Sequence, residues 1–141
     1  MRGTLKKALI VDDSGDVRAT VAMGLAAAGW ETVEGEDGEE GIAAAVRECP
    51  DLIFLDLVMP GKDGFEVLGE LRHDARTSHI PVVVLTAIND YQLGDNYDAE
   101  SMGQGLDVSP PEGFIEKPFD IEEVLDAAAE AMGAVEFGIE N

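Results

Sequence analysis

The feature that most limits how this chain can fold is its alternation of short apolar runs with amphipathic stretches along most of its length. Residues 7–12, 52–56 and 80–85 are almost uninterrupted apolar runs, the last rich in valine. Strands of this kind are buried on both faces and belong in a parallel sheet, whereas strands with one solvated face alternate apolar with polar residues. Residues 31–34 make a shorter, polar run suited to a sheet edge, and residues 113–116 a fifth strand. Ser14, Asp37, Asp63 and Asp120 stand where helix N-caps are needed, because their side-chain oxygens accept from backbone amides that have no partner within a helix. The apolar stripes that follow are Val17, Val21, Leu25 and Ala28; Ile42, Ala45, Val46 and Cys49; Phe65, Leu68 and Leu71; and Ile121, Val124, Leu125, Ala128 and Met132. Strands alternating with helices through right-handed crossovers predict one α/β domain, a five-stranded parallel sheet, doubly wound.

At 141 residues the chain suits a single domain with a substantial core, predicted over residues 1–133 with a C-terminal tail at 134–141. In that tail Val135, Phe137 and Ile139 alternate at strand spacing, so it is expected to be mobile or to dock extended. Residues 88–112 interrupt the regular pattern with glycines, prolines and acids, and an irregular extended segment is expected there. Cys49 is the sole cysteine and reads as a small buried apolar residue at a helix end, which suits a reducing cytoplasm. The longest apolar stretch, residues 80–88, is too short to span a bilayer, and the start lacks the apolar region of a signal peptide. A cytoplasmic location is expected.

A net charge of −21 argues against binding nucleic acid or an anionic membrane, both of which need clustered lysine and arginine. The charge is uneven. Residues 87–141 hold 14 acids and one base, Lys117, against 16 acids and eight bases in residues 1–86. Solubility accounts for this imbalance, and a basic partner for the C-terminal half is the sharper alternative.

The chemistry concentrates at the strand ends. Asp12 and Asp13 close the first strand, Asp56 closes the third, and Lys117 follows the fifth. In an open parallel sheet the carboxyl ends of the strands line the ligand crevice. Clustered carboxylates repel each other unless a cation sits among them, and oxygen-only ligands suit a hard ion such as Mg²⁺. The lysine is a compact point charge fitted to an arriving anion. Together the four residues predict a divalent metal, a phosphoryl group and a carboxylate that accepts it.

Val-Asp-Asp at 11–13, Leu-Asp-Leu-Val-Met-Pro-Gly-Lys-Asp-Gly at 55–64, Val-Leu-Thr-Ala at 84–87 and Phe-Ile-Glu-Lys-Pro-Phe at 114–119 resemble the receiver domain of two-component response regulators. The resemblance covers about residues 5–132. It implies a flavodoxin-like strand order of 2-1-3-4-5. It also implies that Asp56 takes a phosphoryl group from a phosphohistidine, with Mg²⁺ held by Asp12, Asp13, Asp56 and the backbone carbonyl of Val58. Thr86 and Lys117 would contact the phosphoryl oxygens, and Thr86 with Phe114 would form the switch. The resemblance further implies a cis Lys117–Pro118 bond and a surface change on the family's fourth helix, fifth strand and fifth helix. The implied partners are a sensor histidine kinase or histidine phosphotransfer protein, touching the first helix near Asp16 and Arg18, and a downstream protein target. No output domain follows in this sequence, so a stand-alone receiver like the chemotaxis regulator is expected, a phosphoacceptor that promotes its own phosphorylation and dephosphorylation rather than an enzyme.

Two departures from the family pattern stand out. Thirty-one positions separate Thr86 from Lys117, and Val58 and Ile88 are apolar where polar residues often flank the site. A phosphorylation-independent interaction module is the main alternative, and the intact set of Asp12, Asp13, Asp56, Thr86 and Lys117 argues against it. A haloacid dehalogenase-type hydrolase would carry a second aspartate at position 58, where this chain has Val58. Asp95, Asp98 and Glu100 lack the spacing and glycine of an EF-hand loop. His73 and His79 flank a loop and read as solvated.

Overall fold

A computed structural model describes residues 6–87 and 110–138. The elements are β1 (Lys7–Val11), α1 (Gly15–Ala27), β2 (Glu31–Gly35), α2 (Gly38–Glu48), β3 (Leu52–Asp56), α3 (Gly64–His73), β4 (Val82–Ala87), β5 (Gly113–Lys117) and a fourth described helix, α4 (Ile121–Gly138). The five strands form one parallel sheet in the order β2-β1-β3-β4-β5, as expected. The polar strand β2 lies at an edge, while β1, β3 and β4 are buried almost throughout.

Strand alternation divides the core in two. Leu9, Val11, Ile53, Leu55, Val82 and Val84 point toward α2 and α3. Ala8, Ile10, Leu52, Phe54, Val83 and Leu85 point toward α1 and α4. Successive residues of a strand face opposite sides, so helices on both faces require that nearly every strand residue be apolar. Trp30 packs at the border of the α1/α4 layer.

The helix starts follow the predicted caps. Ser14 Oγ accepts from the Val17 amide, Asp37 from Glu40, and Asp63 from Glu66. Asp63 and Glu66 cap each other reciprocally, as do Asp120 and Glu123. Helix α1 gives way at Gly29, whose φ of +95° suits a residue without Cβ.

Two expectations are corrected. Cys49 is exposed rather than buried: it is the C-cap of α2 at φ 49°, and this left-handed turn carries its side chain outward. The buried residues of α2 are Gly38, Gly41, Ala44 and Ala45, with Ile42 and Val46 only partly covered. At the C-terminus α4 continues to Gly138, so residues 135–138 are helical and not an extended strand. A run of alanines with interspersed glutamate favours the helix, and its propensity outweighs the alternation of Val135 and Phe137, the two residues of that pattern within the described range. Strand β4 begins at Val82, leaving Ile80 buried just ahead of it. The expected irregular segment at 88–112 falls almost wholly outside the described residues, as do Ile88, Asp95, Asp98, Glu100 and Ile139. Among the described residues, no helix is long and apolar enough to cross a membrane.

Candidate functional site

Alternation along three strands assembles the site. Ile10, Phe54 and Ile115 each stand two residues before Asp12, Asp56 and Lys117, and all three belong to the core layer beneath α1 and α4. A two-residue period therefore brings both acids and the lysine to the same side of the sheet, at its carboxyl end. Lys117 Nζ lies 3.0 Å from Asp12 Oδ2 and 3.4 Å from Asp56 Oδ1. Asp12 is fully buried and Asp56 nearly so, while Lys117 retains 23% exposure of its side chain. Asp13 is exposed at the rim. Carboxylate oxygens of Asp12, Asp13 and Asp56 all lie within 4.8 Å of one another, the one such acid group among the described residues.

The electrostatics follow from this geometry. Burial pushes the Asp56 carboxyl up to about 7, and the neighbouring Asp12 adds to the rise; Lys117 and the Val58 amide pull against it without prevailing. Burial pulls Lys117 down, but Asp56 and Asp12 outweigh it and hold the ammonium above its ordinary value. Asp12 Oδ1 accepts from the Ser14 amide at 2.9 Å, and its buried Oδ2 has the Lys117 ammonium as its partner at 3.0 Å. One ammonium thus faces three clustered carboxylates, and a hard cation among them would offset the negative charge it leaves unbalanced. The donor set thus fits Mg²⁺.

The loop after β3 is held close. The Gly64 amide donates to the Leu57 carbonyl at 2.8 Å, and a Cβ at Gly64 would stand 2.4 Å from the Asp56 carbonyl oxygen. Val58, the expected carbonyl ligand, sits in this loop; its amide is 3.5 Å from Asp56 Oδ1 and its side chain is exposed. Thr86 is buried, one residue beyond Leu85, which pairs with Asp56. Phe114 pairs with Val84 on the adjacent strand and packs against the α2/α3 layer. Thr86 shares that face, two residues farther along β4, so the two expected switch residues are diagonal neighbours on one side of the sheet. The Lys117–Pro118 bond is cis.

Two residues near the site were not singled out by sequence for the parts they play. Arg18 Nη1 donates to the Asp12 carbonyl at 2.8 Å and its Nε to Glu34 at 2.9 Å, so the guanidinium is engaged within the fold. Gly64 is the other, and a Gly at a helix start beside an acid-bearing loop was the available signal. An open groove of about 390 Å³ adjoins Lys117, lined by Asp16, Val17, Thr20, Ala87, Pro118 and Phe119.

Comparison with known proteins agrees with this geometry. The response regulator receiver domain family matches residues 8–129. The DNA-binding dual master transcriptional regulator RpaA of Synechocystis is 41% identical over 121 residues, covering 86% of this chain and 46% of that protein. The phosphate regulon transcriptional regulatory protein PhoB of Pseudomonas aeruginosa is 36% identical over 120 residues, covering 85% of this chain and 48% of that protein. The solved structure of the chemotaxis response regulator CheY4 of Vibrio cholerae aligns with a TM-score of 0.76 at 29% identity, covering 91% of this chain and 99% of that one. The chain spans about half the length of the two transcriptional regulators.

Proposed function

Because this chain belongs to the response regulator receiver domain family, we propose that it is a phosphorylation-controlled signalling switch whose phosphoacceptor is Asp56. The observation that carries the reading is the Asp12–Lys117–Asp56 arrangement, with Lys117 Nζ at 3.0 and 3.4 Å from the two buried carboxylates. An Asp56 oxygen attacks the phosphorus of a phosphohistidine; the P–N bond breaks, a P–O bond forms, and the electron pair returns to the imidazole nitrogen. A carboxylate suits this step because the acyl phosphate it forms remains labile.

Asp12, Asp13, Asp56 and the Val58 carbonyl would hold Mg²⁺, which when bound neutralises negative charge on the transferring group and the surrounding acids. Lys117 passes from Asp56 to a phosphoryl oxygen. Thr86 donates its hydroxyl to another, and its displacement frees space into which Phe114 turns on the same sheet face. A local change in charge thereby biases a two-state element. The chain promotes its own phosphorylation and dephosphorylation and does not turn over a separate substrate.

The donor is a sensor histidine kinase or a histidine phosphotransfer protein. The groove beside Lys117, with apolar Val17, Pro118 and Phe119 and the exposed Asp16, supports docking against α1 and the β5–α4 turn. The recipient is a downstream protein target. The net charge of −21 favours protein partners over nucleic acid for these residues, and the cytoplasm is the compartment where such a donor is available.

The test is incubation with acetyl phosphate and Mg²⁺ followed by intact mass measurement. Stoichiometric phosphorylation is expected for the wild type and none for Asp56→Asn. A stable, stoichiometric phosphoryl adduct on Asp56→Asn would sink the assignment.

A further inference from the structure

We propose that Arg18 is a positioning residue for the metal-holding acids, acting on the peptide that joins Asp12 to Asp13; this rests on the reading of the site given under Proposed function. Arg18 lies in the first turn of α1, and its side chain reaches back to the ends of two strands. Nη1 donates to the Asp12 carbonyl oxygen at 2.8 Å, and Nε donates to Glu34 Oε1 on β2 at 2.9 Å. Nη2 stands 3.9 Å from Glu36, and only 13% of the side chain is exposed.

The oxygen that Arg18 holds belongs to the Asp12–Asp13 peptide. A peptide unit is planar, so fixing its oxygen fixes the plane that relates the two acids. Asp12 has other restraints: its amide donates to the Gly35 carbonyl at 3.2 Å, and its Oδ1 accepts from the Ser14 amide at 2.9 Å. Asp13 is exposed at the rim, and the Arg18 bond acts on the peptide leading into it. Glu34 in turn orients the guanidinium, so the edge strand β2 is tied to the site through one side chain.

Charge and position predict opposite signs. An arginine beside a cation site repels the cation, so its loss as a charge alone would tighten metal binding. Its loss as a positioning group weakens binding, because partners that orient metal ligands are worth about 10–100-fold in affinity.

The experiment titrates Mg²⁺ alone into the full chain by calorimetry and records melting temperatures in EDTA. The variants are Arg18→Met, which keeps much of the aliphatic stem, Arg18→Lys, Glu34→Gln and the Arg18→Met/Glu34→Gln pair. Arg18→Met is expected to weaken Mg²⁺ binding about ten-fold or more. Arg18→Lys recovers part of the loss, because an ammonium still reaches one acceptor. The double variant binds no more weakly than Arg18→Met, since both residues act through the same contact. Unchanged or tighter binding by Arg18→Met overturns the proposal. So does a loss that Arg18→Lys does not recover and that tracks the fall in metal-free melting temperature, the behaviour of a tie that only holds the fold. A wild type that binds no Mg²⁺ overturns the site reading itself, and the inference falls with it; a wild type that binds beside an indifferent Arg18→Met overturns the inference alone.

Discussion

Lys117 Nζ stands 3.4 Å from Asp56 Oδ1, yet Asp56 titrates at about 7 rather than in the ordinary carboxylate range. Burial and the Asp12 carboxylate together exceed the attraction of one ammonium that is also shared with Asp12. Without a metal the site therefore holds more negative charge than its lysine balances.

The first prediction follows from that imbalance. The native state keeps a proton on Asp56 between the ordinary value of 3.8 and about 7, where the unfolded chain has lost it. When the native state binds more protons, stability falls as pH rises through that window. In EDTA the wild type should lose stability relative to Asp56→Asn between these values, by an amount on the order of a few kcal/mol. Urea unfolding at a series of pH values measures the difference. A difference that does not vary with pH would refute the electrostatic account, and Mg²⁺ should narrow it at pH 7.

Lys117→Met separates metal binding from phosphoryl transfer. Removing the ammonium leaves two buried carboxylates without their fixed cation, so Mg²⁺ should bind more tightly. Phosphorylation by acetyl phosphate should nevertheless slow by about 10²-fold, because a preorganised positive charge facing the transferring group is lost. Calorimetry and intact mass report the two effects. Weaker Mg²⁺ binding together with slower phosphorylation would mean instead that Lys117 holds the acids in place.

Gly64→Ala tests the closeness of the loop that follows Asp56. The new Cβ would meet the Asp56 carbonyl oxygen at 2.4 Å and Leu57 Cα at 2.6 Å, both backbone atoms with little room to give. A loss of about 1–3 kcal/mol is expected, with weakened Mg²⁺ binding as the loop shifts. Gly69→Ala, in the same helix, is the control: nothing lies within 4 Å of its added Cβ, and relief of glycine's entropy cost should stabilise the fold by about 0.5–1 kcal/mol. Equal effects from the two substitutions would dismiss the close-approach argument.

On the proposed reading, Val58 bears on how long a phosphoryl group on Asp56 would persist. The residue is 37% exposed beside Asp56, and its apolar side chain offers an attacking water no hydrogen bond. Val58→Asn supplies a donor and an acceptor there and should speed loss of the phosphoryl group severalfold, by a contribution on the order of one hydrogen bond. Loss of phosphoryl mass after removal of acetyl phosphate gives the rate. A slower loss in Val58→Asn would show that water reaches the acyl phosphate by another route.

Much of this protein was legible from the chain alone because the relevant physics is periodic and local. Nearly unbroken apolar runs at β1, β3 and β4 require helices on both faces, which dictates a parallel sheet and places strand ends in a ligand crevice. Asp12, Asp13, Asp56 and Lys117 could be found at those ends without coordinates, and the caps Ser14, Asp37, Asp63 and Asp120 could be read one by one. Cys49 could not, because a stripe position predicts burial only while the helix lasts, and the chain turns left-handed at that residue. Nor could the end of α4, where Val135, Phe137 and Ile139 alternate at strand spacing and suggested a mobile or extended tail in a helix-forming sequence.

Tertiary structure decided what depends on contacts between distant segments. Periodicity can place Arg18 on a helix, but its bonds to Asp12 and Glu34 exist only because β1 and β2 pair beside α1. The pKa of Asp56 likewise arises from burial, from Asp12 at another strand's end and from Lys117 sixty-one positions along the chain. The close approach of Gly64 to Asp56 depends on how α3 settles against β3. The sequence determined which chemical groups stand at the strand ends, since a two-residue period and an apolar core leave little freedom there. Their mutual distances, and hence the charge the site holds, were decided only when the folded sheet brought them together out of water, where electrostatic interaction depends steeply on separation and burial.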